Sequence, residues 1–269
     1  MAANNLSTYF SLWIIIAFFG SCLVTFSAFQ PSGFSPAVAT YYTNPTSPGS
    51  GGACGLENDV VSSPYNAMIT AGNQALFKQS SGCGASYQVM CTQFHNPHCS
   101  GSPITVTLTD EYPGACNNNP VHLDLSGIAF GKLAKHGAAP QLHFAGRTPI
   151  FFIKGDNQVA CNDNSNILFK VDKGSNPNFF AVVSKAVNGD GDLSMVEIKT
   201  GGRSTPWTPM KRMIGATWSV GIQPNIQRPP FSLRLTSSTR KSVIAQNVIP
   251  PGWHPRSVYR SNVNFPSLL

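Results

Sequence analysis

From Ala39 to the C-terminus, glycine and proline interrupt this 269-residue chain every few residues, and this punctuation limits its fold more than any other feature. Both residues are poor in the interiors of helices and central strands, so the elements between them must be short. Only Ser126 to His136 (SGIAFGKLAKH) has apolar residues at helical spacing, with Ile128, Phe130, Leu133 and Ala134 able to share a face. Earlier segments such as Ala85 to Cys91 and Ile104 to Thr109 read as strands, the latter alternating Ile, Val and Leu with Thr. This half reads as a closed or semi-closed barrel with one or more short helices. The apolar run Pro149 to Ile153 then gives way to a polar segment, Lys154 to Asn166, which places a domain boundary near Asn162 and divides the chain into 29–161 and 162–269. Beyond it lie seven strand candidates: Ile167 to Val171, Phe179 to Val187, Leu193 to Ile198, Ala216 to Val220, Phe231 to Thr236, Ser242 to Val248 and Val258 to Val263. Seven short strands with no helix between them indicate an antiparallel β-sandwich. With 42% hydrophobic residues the chain can bury a core.

Ser11 to Ala28 is an uncharged apolar run followed by a polar stretch, the pattern of a secretory signal spanning residues 1–28. A single N-terminal membrane anchor is the alternative, although nothing basic follows the run. Membrane association of the remainder is at most peripheral, since no other stretch is long enough to span a bilayer. Removal of the signal takes Cys22 with it and leaves six cysteines, Cys54, Cys83, Cys91, Cys99, Cys116 and Cys161, and an even count on an export route favours disulfides. The first acidic residue is Glu57 and the last Glu197, while ten Lys or Arg lie from Ile198 onward. A surface of one sign attracts polymers of the other. Outside the cell that polymer is a polysaccharide bearing uronic acids, an acidic xylan or a pectin; the scattered cations argue against nucleic acid.

Four constellations bear on chemistry. If Val121 to Leu125 is extended, His122 and Asp124 share a face, and with Asp110 they could form the acidic pair that glycoside hydrolysis requires. A surface pair or a hydrogen-bonded structural Asp is the plainer reading. Cys91 and Cys99 enclose His95 and His98, but zinc ligands usually come as separated pairs, so a small disulfide loop is the simpler account and no metal or cofactor is expected. Asn188-Gly-Asp-Gly-Asp192 resembles the start of a calcium loop, yet Leu193 and Lys199 stand where Gly and Glu are needed, and it reads as a hairpin turn. Tyr41, Tyr42, Phe179, Trp207, Trp218, Trp253 and Tyr259 could stack on sugar rings or simply fill a core. Of the adjacent Phe179 and Phe180, one should face outward.

Taken together, these segments resemble the beta-expansins over nearly all of the chain after the signal. The matching stretches include Gly51-Gly-Ala-Cys-Gly55, Gly82-Cys-Gly84, Tyr87-Gln-Val89, Thr109-Asp110, Val121-His-Leu-Asp-Leu-Ser-Gly127 and Ala129-Phe-Gly131. In the second half they include Gly174-Ser-Asn-Pro177, Trp207-Thr-Pro-Met210, Pro230-Phe-Ser232, Asn247-Val-Ile-Pro250 and Tyr259-Arg-Ser-Asn-Val-Asn-Phe265. The resemblance implies a six-stranded double-psi β-barrel followed by an immunoglobulin-like, cellulose-binding β-sandwich. It also implies a monomer secreted to the plant cell wall, where it loosens contacts between cellulose and matrix glycans without hydrolysis.

The sequence departs from the family pattern where sugar would bind. Tyr41 stands for a usual Trp, Ser50 for the Asp before the Gly-Gly-Ala-Cys run, Leu123 for the Phe of a His-Phe-Asp motif, Phe179 for an exposed Tyr, and Ile214 for a stacking Trp. The resemblance implies disulfides Cys54–Cys83 and Cys91–Cys99; the usual partner of Cys161 is Ser86 here, which leaves a substitute Cys116–Cys161 bridge as a hypothesis. The barrel also resembles family-45 endoglucanases, in which the counterpart of Asp124 is the general acid and an Asp near the chain start the base. No carboxylate precedes Glu57, so the acid-like set Asp110, His122 and Asp124 is read as vestigial, not catalytic. The expected glycan contacts are Tyr41, Tyr42, Asp110, His122 and Asp124 in the barrel, with Phe179 and Trp207 in the sandwich. A degenerate binder without loosening activity, or a hydrolase, are the alternatives.

Overall fold

The computed structural model describes residues 31–154, 166–201 and 205–266. The expected signal segment, the boundary near Asn162 and Cys161 lie outside them.

Six strands close a barrel: β1 (Ser35–Tyr41), β2 (Ile69–Gly72), β3 (Ser86–Met90), β4 (Ile104–Glu111), β5 (His122–Leu125) and β6 (Thr148–Lys154). Their order around the barrel is β1-β5-β2-β4-β3-β6, with β1 parallel to β5, β2 parallel to β4, and the remaining pairs antiparallel. The alternation in β4 turns Val106 and Leu108 inward, where they join Leu123, Leu125, Phe130 and Ile150 in one core. The helix expected over Ser126 to His136 is shorter. As α2 (Gly127–Lys132) it is capped by the Ser126 hydroxyl, which accepts the Ala129 N–H at 2.9 Å. Ile128 is exposed on it, because Phe130 and Leu133 fill the inward face, and the chain then leaves the helix to form a bridge between Ala134 and Cys99. Two further helices accompany it, the single turn α1 (Gln74–Phe77) and α3 (Ala139–Ala145).

The second unit stacks two sheets. One has five strands in the order β11-β12-β8-β7-β15, formed by β7 (Leu168–Val171), β8 (Phe179–Lys185), β11 (Lys211–Ile214), β12 (Thr217–Gly221) and β15 (Val258–Arg260). The other has four in the order β10-β9-β13-β14, formed by β9 (Leu193–Lys199), β10 (Thr208–Pro209), β13 (Phe231–Ser237) and β14 (Ser242–Ile249). Phe180 of β8 meets Phe231 of β13 edge to face at 5.4 Å in the core between them. All seven expected strands are present, with β10 and β11 added. The Asn188 to Asp192 segment is not a hairpin turn: it carries the chain from β8 in one sheet to β9 in the other. Its carboxylates explain its composition, since Asp190 accepts from the Thr239 hydroxyl and Asp192 accepts from Ser238 and pairs with Lys154 of the barrel at 2.9 Å.

Barrel and sandwich meet backbone to backbone. A Cβ on Gly191 would lie 2.0 Å from the Gly84 carbonyl oxygen, and one on Gly215 would lie 2.3 Å from the Cys54 Cα. The Ala216 N–H donates to the Cys54 carbonyl at 3.0 Å, and Val183 of β8 packs with Leu56, Val60 and Phe77 of the barrel. Asp59 receives Lys170 at 2.9 Å and Lys185 at 3.1 Å from the sandwich.

Disulfides Cys54–Cys83 and Cys91–Cys99 are formed. Cys116 is a buried free cysteine among the described residues, and its thiol is pushed up to about 11 by burial and then by the Asp124 charge.

Candidate functional site

A groove of about 500 Å³ crosses one side of the barrel, lined by Thr40, Tyr41, Tyr42, Thr43, Tyr112, Ala115, Cys116, His122, Asp124 and Arg147. Every residue of β5 is buried, but for two reasons. Leu123 and Leu125 face the barrel core, while His122 and Asp124 face the groove floor. The parallel register sets Thr40 of β1 directly beside Asp124, and its hydroxyl donates to Asp124 Oδ1 at 2.5 Å while lying 2.9 Å from His122 Nε2. Burial raises the Asp124 carboxyl above the ordinary aspartate value of 3.8, and the Thr40 hydrogen bond offsets only part of that. Burial, and then the Arg147 charge, lowers His122.

Asp110 is placed differently. Ala71 of β2 is paired with Asp110 on one side and Asp124 on the other, so the two Cα atoms are about 10 Å apart, two strand spacings. Asp110 Oδ1 is committed to the backbone, accepting the Ala53 and Glu111 N–H groups at 2.9 Å each, and among the described residues the groove lining holds Asp124 as its single carboxylate. Tyr42 feels both acids: its phenol is pushed up by burial and then by the charges of Asp110 and Asp124. Tyr41 is anchored in packing as well as lining the groove: its ring lies 4.9 Å from Phe130 and 4.8 Å from His143, and its hydroxyl donates to the His143 carbonyl at 3.0 Å.

The sandwich candidates are not brought together. Phe179, partly exposed, belongs to β8 of the five-stranded sheet, while Phe180 is fully buried, as expected of adjacent strand residues. Trp207 borders β10 on the other sheet, and the Arg234 guanidinium covers its ring at 4.8 Å while pairing with Glu197. Ile214 is 58% exposed on the sheet that carries Phe179. The sequence reading missed Thr40, Tyr112, Asn119 and Arg147. Thr40 is recoverable from alternation along β1, which gives it the parity of Val38 and Tyr42; Asn119 and Arg147 lie in loops where no periodicity operates.

A closed six-stranded barrel with a one-carboxylate groove, joined by backbone contact to a two-sheet sandwich, defines a class of two-unit β-proteins. Residues 167–250 match the family model described as the Expansin C-terminal domain, and residues 69–152 match one described as Lytic transglycolase. Expansin-B4 of Arabidopsis thaliana is 44% identical over 96% of this chain and 98% of its own length. Expansin-B11 of Oryza sativa subsp. japonica is 43% identical over 87% and 79%, and Expansin-B1 of Zea mays is 42% identical over 85% and 83%. Two crystal structures of Clavibacter michiganensis expansin, one apo and one a mutant in complex with cellohexaose, share the fold at 20% identity. Each covers 86% of this chain and 98% of its own, with TM-scores of 0.63 and 0.64. The chain belongs to the expansin family, among its B-type members.

Proposed function

We propose that this expansin is secreted to the plant cell wall and loosens it by gripping a glycan in the barrel groove while the basic sandwich holds the wall, with no bond cut. The observation that carries the reading is the groove itself, in which three tyrosines surround one buried carboxylate. Flat rings offer faces to sugar rings, and a carboxyl raised by burial can donate or accept a hydrogen bond with a glycan hydroxyl. Hydrolysis needs a second group to act as base or nucleophile beside the acid. Asp110 lies off the groove lining with its Oδ1 accepting two backbone N–H groups, while the Ser50 hydroxyl oxygen accepts the Gly52 N–H at 3.1 Å. Hydrogen bonds from a polymer to protein exchange almost evenly with those to water, so modest binding can shift contacts between glycans without a covalent step. Tyr41, Tyr42, His122 and Asp124 are the barrel contacts in this reading, with Phe179 as the sandwich contact. Asp110 acts on them only through its charge on the Tyr42 phenol. Trp207 is set aside because Arg234 occupies its face.

The test is creep of heat-inactivated wall strips under constant load, with new reducing ends counted in the same bath. Extension without new ends is expected, and Asp124→Asn should abolish extension while retention on cellulose persists. New reducing ends in proportion to extension would replace this reading with hydrolysis; retention without extension would leave an inert binder.

A further inference from the structure

The groove floor holds a hydrogen-bond chain whose direction is fixed from its outer end. Arg147 Nη2 donates to Asn119 Oδ1 at 2.9 Å. A guanidinium has no acceptor, so it holds the amide oxygen of Asn119 toward itself and turns the amide nitrogen toward His122. That nitrogen lies 3.3 Å from His122 Nδ1. An amide nitrogen only donates, so Nδ1 must be the unprotonated ring atom and the proton of a neutral imidazole must sit on Nε2. Nε2 faces the Thr40 hydroxyl oxygen at 2.9 Å and donates to it, which leaves the single Thr40 hydrogen for Asp124 Oδ1.

We propose that Asn119 and Arg147 are positioning residues, which act through His122 and Thr40 to aim one hydroxyl proton at the Asp124 carboxylate. Neither needs to touch a glycan to do so. Both come from irregular segments outside β5, so a change there would alter the groove acid without altering the strand that carries it. Other groups act on the same pair and must be counted in any titration. Tyr42 and Cys116 each feel the Asp124 charge, Tyr42 also feels that of Asp110, and the Tyr112 ring lies 6.4 Å from that of His122.

The relay rests on the groove reading above only for its purpose, because its existence is read on the protein without ligand. The first measurement is the tautomer of His122 from its ring 15N shifts, together with the Asp124 side-chain 13C titration, in the full folded protein. A single Nε2–H tautomer is expected. Asn119→Asp keeps the shape but replaces the donor with an acceptor, so at a pH where His122 is neutral it should switch to Nδ1–H, draw the Thr40 proton to Nε2, and raise the Asp124 midpoint by about half a unit to one unit. The added charge contributes to that rise. Asn119→Leu, which is uncharged, separates the two effects: it should leave a mixture of tautomers and a smaller upward shift. An Nδ1–H or mixed tautomer in the native protein overturns the relay, as does a tautomer unmoved by Asn119→Asp. A relay that passes these tests while wall strips fail to creep would leave the positioning chain intact and remove only the loosening function.

Discussion

Replacing Gly191 with Ala tests the junction between barrel and sandwich. Gly191 has φ of +77°, a conformation that costs an alanine about 1–2 kcal/mol. Its added methyl would also lie 2.0 Å from the Gly84 oxygen and 3.0 Å from the Gly84 carbonyl carbon, both backbone atoms of the other unit. Neither atom can rotate away, so relief requires the units to move apart, an overpacking cost of about 1–3 kcal/mol. Gly252 supplies the control, with φ of +75° and nothing within 4 Å of its added methyl. Gly252→Ala should carry the conformational cost alone. Equilibrium urea unfolding of both variants should therefore place Gly191→Ala below Gly252→Ala by about 1–3 kcal/mol. Equal losses would show that the contact yields freely, and the account of a tight backbone junction would be wrong.

Asp59 should show the opposite pH behaviour to Asp124. Burial alone would raise Asp59, but the hydrogen bonds from Lys170 and Lys185 outweigh it and hold the carboxyl below 3.8. Its stabilising contribution is then present above the unfolded value and lost as pH falls through the folded one; Asp59→Asn should flatten that acid limb, by under about 1 kcal/mol because the cluster is partly solvated. Asp124 is raised, so the folded state holds a proton that the unfolded state has released, and stability falls as pH climbs from 3.8 through the raised value. Asp124→Asn should remove this loss in thermal scans taken across that window; an unchanged pH slope would refute a buried, raised carboxyl. The two disulfides span 29 and 8 residues. Loop-closure entropy makes loss of Cys54–Cys83 as a double serine variant cost about 1 kcal/mol more than loss of Cys91–Cys99, measured by urea unfolding.

The strands were legible because their signal is local. Alternation in ITVTLTDE or FSLRLTS, bounded by turn residues, marks a strand without reference to its partners, and all seven expected sandwich strands lie where that signal falls. β10, which contains Pro209, and β11 escaped because they are two and four residues long and leave most of their side chains outside the core. α3 was missed because Leu142 and His143 are its only buried residues; Pro140 in its first turn and Gly146 at its end, φ +66°, were the available signals. The Asn188 to Asp192 segment looked like a hairpin because turn chemistry reports that the chain bends, not which sheet it enters next. The site was half legible for a related reason. His122 and Asp124 share a strand and follow its parity, whereas Thr40 reaches Asp124 across 84 residues and Arg147 reaches Asn119 across 28. Such separations are spanned by topology, which a pattern in one segment does not contain.

The four buried residues of β5 divide their duties by parity: odd numbers to the barrel core and even numbers to the groove. Variation along this strand can therefore be sorted before any assay. A change at Leu123 or Leu125 should register as lost yield or a lower melting temperature, with the surviving folded molecules still competent. A change at His122 or Asp124 should leave folded molecules that are silent. Among natural variants of this gene, the position of a difference within these four letters would indicate whether there is less of the protein or a different protein.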